Sequence, residues 1–204
     1  MAEEHVIVAV LAGGRGERIG GEKAIAPLAG RPLISRPLAA AREAGLETVV
    51  IAKAATVLPP LAERVLHEPE SPRHPLCGVL TALDFAAKRS PAPAVLLLGC
   101  DMPFLTSELI AWLAGLSGTA MARVGGRAQP LPSRCLPRHR DSLREALVAR
   151  RSLRAAIMAL SPRIVHEREL ARFGNPEQLC FNVNDPSELR VAERWLAHDG
   201  EGVS

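Results

Sequence analysis

The sequence predicts an α/β chain whose core is a doubly wound, mainly parallel sheet. Three observations carry that expectation. Short, nearly continuous apolar runs recur, such as VIVAVL at Val6–Leu11 and VLLL at Val95–Leu98, and such runs suit strands buried on both faces. Stretches with helical spacing or composition stand before the later runs, which makes the connections crossovers. The first run ends in Gly13 and Gly14, and a glycine-rich turn at the carboxyl end of a first strand is where open α/β sheets bind phosphorylated ligands.

The elements follow in order. Val6–Leu11 is the first strand. A helix over Pro32–Ala44 leads to the strand TVVIA at Thr48–Ala52, and Val57–Glu63 is read as a helix before the short strand Arg64–Leu66. Leu76–Lys88 and Ser107–Leu116 are helices before the strands Val95–Leu98 and Ala120–Val124. After Gly125 and Gly126 the pattern changes, to an edge strand at Gln129–Ser133 and two basic helical segments, Arg138–Ala149 and Ser152–Leu160. A late strand near Ile164–His166, the extended segment CFNVND at Cys180–Asp185 and a helix from Ser187 to about Ala197 follow. Pro186 and the acidic residues after it suit a helix entry. Residues 1–204 read as one domain, with the part from about 125 to 204 an elaboration of it.

Composition excludes several function classes. A chain of 204 residues with 48% hydrophobic content is long enough for a sizeable core. Its 25 basic and 22 acidic side chains leave only +3, with 3% aromatic residues, so no nucleic-acid partner is expected and any anion site must be local. The apolar runs are far shorter than a membrane span, and MAEEHV lacks the basic start of a signal peptide. The expectation is a cytoplasmic protein that binds no membrane. Cys77, Cys100, Cys135 and Cys180 are scattered without a CxxC pair, which fits reduced thiols better than disulfides or zinc.

The loop after the first strand fits neither common phosphate motif. Ile19 stands where the dinucleotide fingerprint needs glycine, and Glu22 interrupts the Walker pattern before Lys23. What remains is a glycine pair, Arg15 and Arg18, a second glycine pair, and Lys23. Gly13 and Gly14 allow backbone amides to approach a ligand closely, while Arg18 and Lys23 offer charge to phosphate oxygens. Such a loop suits a triphosphate.

LAGGRGERIGGEK, Leu11–Lys23, resembles the LAGGxSxRMGxDK signature of the nucleotidyltransferases that make molybdenum cofactor dinucleotides. Five further segments resemble that family in the same order: GRPLI at Gly30–Ile34, HPLCGVLTAL at His74–Leu83, LLLGCDMPFL at Leu96–Leu105, QPLPSR at Gln129–Arg134, and FNVNDPSELRVAE at Phe181–Glu193. Within the family the chain is most similar to the guanylyltransferases. The resemblance implies a Rossmann-like, GT-A-like nucleotidyltransferase domain that joins GMP from GTP to molybdopterin and releases pyrophosphate. It implies Mg2+ as cofactor, and proteins that mature molybdoenzymes as further partners.

Roles are carried over position by position. The resemblance gives Arg18, Lys23 and Asp101 to catalysis, and Leu11, Ala12, Gly13, Gly14, Lys23, Glu68, Gly78 and Asp101 to the nucleotide. Nucleotidyl transfer needs positioned positive charge around an α-phosphate attacked in line. Asp101, just past a strand, offers the oxygen ligand that Mg2+ prefers, with a helix cap as the plainer reading. Asn182 and Asn184 flank Val183, so an extended backbone puts both amides on one face and Val183 inward. The resemblance assigns both to the acceptor, and so to a group separable from the nucleotide-binding cations. Asp185 is read as a helix cap, His74 as a loop residue without catalytic role, and the cysteines as packing.

Two departures bear on base choice. Ala52, followed by Lys53, stands where the family commonly has Asn, and Glu68 where it commonly has Asp. They leave open a cytidylyltransferase or a relative acting on another phosphorylated acceptor, and a non-catalytic carrier of nucleotide or cofactor.

Overall fold

The computed structural model describes residues 5–14 and 22–201. Among them a seven-stranded sheet runs in the order β5-β4-β1-β6-β8-β7-β9. Its members are β1 (Val6–Leu11), β4 (Glu47–Ala52), β5 (Arg64–His67), β6 (Ala94–Gly99), β7 (Ala120–Val124), β8 (Arg127–Cys135) and β9 (Arg163–Val165). A separate antiparallel pair is formed by β2 (Pro27–Leu28) and β3 (Arg31–Pro32). β1, β4, β5 and β6 are mutually parallel, β8 is antiparallel to β6 and β7, and β9 is parallel to β7.

Helices cover both faces. Val6, Val8 and Val10 point into a core shared with α1 (Ser35–Glu43) and α3 (Ser107–Ala114). Ile7 and Ala9 point into a second core with α2 (Pro75–Ala86), α4 (Arg140–Val148) and α5 (Leu153–Met158). Alternate side chains of one strand thus enter two cores, which explains its unbroken apolar sequence. Two short helices, α6 (Glu167–Leu170) and α7 (Pro176–Leu179), precede the long α8 (Pro186–Glu201).

Two expectations are corrected. Val57–Glu63 forms no helix, because Pro59 and Pro60 lack the donors a helix interior needs and push the residue before them out of the α region. The strand around Gln129–Ser133 is not at an edge; it is part of β8, between β6 and β7. Its prolines are tolerated because β6 pairs only with Ser133–Cys135, and the β7 register jumps from Ala128 to Ser133, so Pro130 and Pro132 fall where no ladder bond is lost. Cys180–Asp185 pairs as no strand, and its first residue ends α7.

A third, smaller core positions the site. Leu28, Leu33, Phe104, Val183 and Ala192 are buried together, with Phe181 and Trp195 packed against them. The Trp195 ring meets Phe104 at 5.4 Å and Phe181 at 4.8 Å, both edge-on, the geometry that aromatic quadrupoles favour. This core clamps three sequence-distant segments, the β2–β3 arm after Lys23, the turn after Asp101, and the backbone on either side of Val183. All four cysteines are free and buried, and burial pushes the thiols of Cys100, Cys135 and Cys180 up to about 12.

Candidate active site

The carboxyl ends of the adjacent parallel strands β4, β1 and β6 lie side by side at one edge of the sheet. Ala12 N–H donates to Ile51 O at 2.7 Å and Cys100 N–H to Leu11 O at 3.1 Å, so the turn leaving β1 is held from both neighbouring strands. Leu11, Ala12, Gly13 and Gly14 follow this rim. Arg18 and Arg15 lie outside the described residues.

Asp101 is positioned by the tight turn after β6. Its carboxylate folds back over Gly99, where any Cβ would overlap Oδ1, so glycine is required there for close approach. The Lys23 ammonium pairs with Asp101 Oδ2 and donates to Asn184 Oδ1 at 2.8 Å. The helix-cap reading of Asp101 fails, since Thr106 caps α3 by accepting from Leu109 N–H at 3.2 Å. Val183 N–H donates to Asp101 O at 2.9 Å, which docks the late segment on the turn after β6.

Val183 points inward and is fully buried, yet the two flanking amides do different things. Asn184 accepts from Lys23, whereas Asn182 Nδ2 donates to Cys180 O at 3.0 Å. Lys23, Asp101 and Asn184 therefore form one hydrogen-bonded group, and the division into separate nucleotide and acceptor sets does not describe how these side chains are grouped. Asp185 caps α8: its Oδ1 accepts from the backbone N–H of Ser187 at 2.8 Å and of Glu188 at 2.9 Å. His74 has a comparable task, for its Nδ1 accepts from Leu76 N–H at the start of α2.

On the other side of β1 lies a second pair. Glu68 is 8% exposed, held by its N–H to Ala52 O at 2.9 Å. A Cβ on Gly13 would overlap Glu68 Oε1, and one on Gly78 would stand 3.0 Å from Oε2, so the carboxylate lies against both glycine backbones. Lys53 Nζ is 3.7 Å from Oε1, beyond direct hydrogen-bond length, and donates instead to Pro69 O at 2.7 Å. Burial raises the Glu68 carboxyl above its usual range, with the Lys53 charge opposing and Glu70 adding to the rise. Lys53 was not among the sequence candidates; the signal that pointed to it was a cation following Ala52 where the family has an amide.

The donors at Asp101 and Asn184 are both oxygens, converging on a single ammonium. That chemistry fits Mg2+, which takes few protein carboxylates and fills its shell with water and phosphate. Among the described residues no three His, Cys, Asp or Glu side chains gather as a metal site, so a dedicated protein cage, as in structural zinc sites, is not what the cleft offers. No described helix is long and apolar enough to cross a membrane.

Comparison with known proteins agrees with this architecture. Residues 8–175 match the family model of the MobA-like NTP transferase domain. A molybdenum cofactor guanylyltransferase of Cereibacter sphaeroides is 34% identical over 198 residues, covering 93% of this chain and 96% of the relative. One from Rhizobium rhizogenes is 32% identical, covering 92% and 91%. Among solved structures, molybdopterin-guanine dinucleotide biosynthesis protein A from Archaeoglobus fulgidus superposes with a TM-score of 0.76 at 22% identity, covering 94% of this chain and 99% of that one. The 2-C-methyl-D-erythritol 4-phosphate cytidylyltransferase of Thermus thermophilus shares the fold, with a TM-score of 0.63 at 21% identity over 93% and 98%. The chain belongs to the MobA-like NTP transferase family, and it is a nucleotidyltransferase.

Proposed function

We propose that the protein transfers GMP from GTP to molybdopterin, giving the guanine dinucleotide cofactor and pyrophosphate. The observation that carries this reading is the convergence of Lys23, Asp101 and Asn184 from three distant segments at the carboxyl edge of the sheet. Lys23 supplies positive charge to the triphosphate and to the charge that develops on it during in-line displacement. Asp101, with Asn184 beside it, would hold Mg2+, which supplies electrostatic stabilisation of the phosphoryl oxygens. Gly13 and Gly14 present backbone to the nucleotide, and Arg18 completes the cationic loop. Asn184, grouped with Lys23 and Asp101, would meet the acceptor phosphate where it approaches the nucleotide, and Asn182 braces the same segment through Cys180 O.

Glu68 favours guanine over cytosine. Lys53 stands 3.7 Å from its carboxylate and gives its short hydrogen bond to Pro69 O, which leaves the carboxylate with acceptor capacity to offer. Guanine presents adjacent N1–H and N2–H donors that satisfy such a carboxylate in bidentate fashion. Cytosine presents one donor beside the N3 lone pair, which repels it. The four free thiols fit a reducing compartment, so we place the reaction in the cytoplasm, before hand-over to molybdoenzyme maturation proteins.

Pyrophosphate release measured with each of the four NTPs, with and without molybdopterin, tests the reading. GTP-specific release that depends on molybdopterin is expected. Preference for CTP, or binding without release, would overturn it.

A further inference from the structure

Asn184 is the exposed member of the Lys23–Asp101–Asn184 group, so packing does not hold its side chain. Hydrogen bonds must do so instead. We propose that Glu188, in the first turn of α8, is the positioning residue that aims Asn184 at Lys23. The assignment rests on the functional reading above and deepens it by naming what fixes the late segment against the reacting groups.

The helix end does not need the Glu188 side chain to close it. Asp185 Oδ1 already accepts from the backbone N–H groups of Ser187 and Glu188 and from the Ser187 hydroxyl. In an ordinary capping box the acidic side chain at the third helical position returns to the N–H of the cap residue. Glu188 reaches one residue further: its Oε2 accepts from the Asn184 N–H at 2.5 Å. That donor belongs to the segment outside the helix, so the bond ties α8 to the site rather than to itself. A negative side chain in a first turn also suits the helix dipole, and the experiment below separates that plainer use from positioning.

Three bonds then determine where Asn184 stands. Its backbone N–H is held by Glu188, its Nδ2 donates to Asn182 O at 3.3 Å, and its Oδ1 accepts from Lys23 at 2.8 Å. With Nδ2 turned to Asn182 O, Oδ1 is the atom left to face the ammonium. One residue earlier, Val183 N–H donates to Asp101 O at 2.9 Å. Two successive backbone amides are thus tied to different elements, the turn after β6 and the start of α8. The helix is itself anchored, for Ala192 is buried in the third core and Trp195 packs on Phe104 and Phe181. Glu188 passes that fixed position on to an exposed amide.

The consequence falls on the transfer step. Without Glu188 the Asn184 N–H loses its acceptor and the exposed side chain samples other rotamers, while Lys23 keeps its pairing with Asp101. GTP retains the glycine turn, Lys23 and Glu68. What is lost is alignment where the two substrates meet, and alignment is expressed in kcat rather than in nucleotide binding.

The test measures steady-state pyrophosphate release with GTP, Mg2+ and molybdopterin for Glu188→Ala, Glu188→Gln, Asn184→Ala and Asn184→Ala/Glu188→Ala. Tm is recorded for each, and amide hydrogen exchange is followed by NMR without substrate. Glu188→Ala is expected to lower kcat about tenfold with KM for GTP within about twofold of the parent, and to speed exchange of the Asn184 N–H about tenfold. Glu188→Gln keeps an oxygen acceptor at the same reach and is expected to recover most of both. Asn184→Ala keeps the backbone N–H, so Glu188→Ala should lower Tm equally in either background, yet lower kcat no further once the Asn184 amide is gone. Parental kcat in Glu188→Ala, or kcat losses that add in full, would overturn the assignment and leave Glu188 as an anion at a helix end. A parent that releases no pyrophosphate with molybdopterin would overturn the transfer reading alone. Exchange at Asn184 that is fast in Glu188→Ala and slow in Glu188→Gln would still support the tether, and equal exchange in parent and Glu188→Ala would overturn it.

Discussion

Lys23–Asp101 and Lys53–Glu68 are ammonium–carboxylate pairs flanking the end of β1, with side chains between 7% and 14% exposed. They are built differently. Lys23 is in direct contact with its carboxylate and shared with Asn184, and all three residues are held by segments that one small apolar core clamps together. Lys53 stands 3.7 Å from Glu68 and gives its hydrogen bond to Pro69 O. The first pair is therefore a charge centre whose members act as a unit. The second is a buried carboxylate beside a cation that biases its protonation while giving its short hydrogen bond to backbone. A centre that handles phosphate needs the first construction, and a reader of neutral N–H groups needs the second.

The largest effect is expected where the first pair is broken. Asp101→Asn keeps an acceptor near Lys23 but removes the charge proposed above to anchor Mg2+, so kcat is expected to fall about a thousandfold while GTP affinity changes little. Single-turnover kinetics at saturating Mg2+ checks this, and near-parental kcat would remove Asp101 from the metal. Lys23→Ala comes next, with kcat/KM for GTP lowered about a hundredfold. Because Lys23 also donates to Asn184, the Lys23→Ala/Asn184→Ala double variant is expected to lose less than the sum of the two single losses. Full additivity would mean that the two residues serve their substrates independently.

How far the sequence reveals this contrast depends on which residues are asked about. The parallel strands β1, β4 and β6 are legible because burial on both faces demands apolar residues at every position, and Asp101 is legible as a lone carboxylate in a motif at the end of such a strand. The position of β8 is not, because polar and proline residues read as an edge, and only the jump in register shows how an interior strand absorbs them. A helix over Val57–Glu63 is suggested by composition and cancelled by two successive prolines. Lys53 is visible in sequence only as a missing amide. Its partnership with Glu68 joins the ends of two adjacent strands, a contact set by sheet order that no local spacing encodes.

The second pair predicts smaller effects, seated in binding rather than chemistry. Gly13→Ala would drive a Cβ into Glu68 Oε1, whereas Gly78→Ala meets Oε2 at 3.0 Å, where a small shift of the carboxylate suffices. KM for GTP is expected to rise about tenfold for Gly13→Ala and only two- to threefold for Gly78→Ala. Equal effects would show that the carboxylate is free to move away from both glycines.

Lys53→Met gives the smallest effect at neutral pH and the most specific one. In the parent, burial raises the Glu68 carboxyl and Lys53 opposes that rise. Glu70 and Cys77 are the other titratable neighbours felt at this site. Replacing the ammonium by a neutral thioether removes the opposing charge, so the carboxyl rises further. Its folded-state value is then further above its unfolded one, and in that window the folded state binds more protons than the unfolded state. Stability therefore declines as pH climbs from the ordinary glutamate value towards the folded-state value, and the window is wider in the variant. The lost hydrogen bond to Pro69 O lowers stability equally at all pH values, so the difference in Tm between parent and variant separates the two contributions. Kinetics should move in the same sense. GTP recognition through an ionised Glu68 weakens as the carboxylate protonates, so the acid limb of kcat/KM for GTP is expected at higher pH in Lys53→Met, with kcat at saturation within about twofold of the parent. A Tm difference that is flat with pH, together with an unmoved acid limb, would reduce Lys53 to a strut for the backbone at Pro69 and leave Glu68 reading the base without its help.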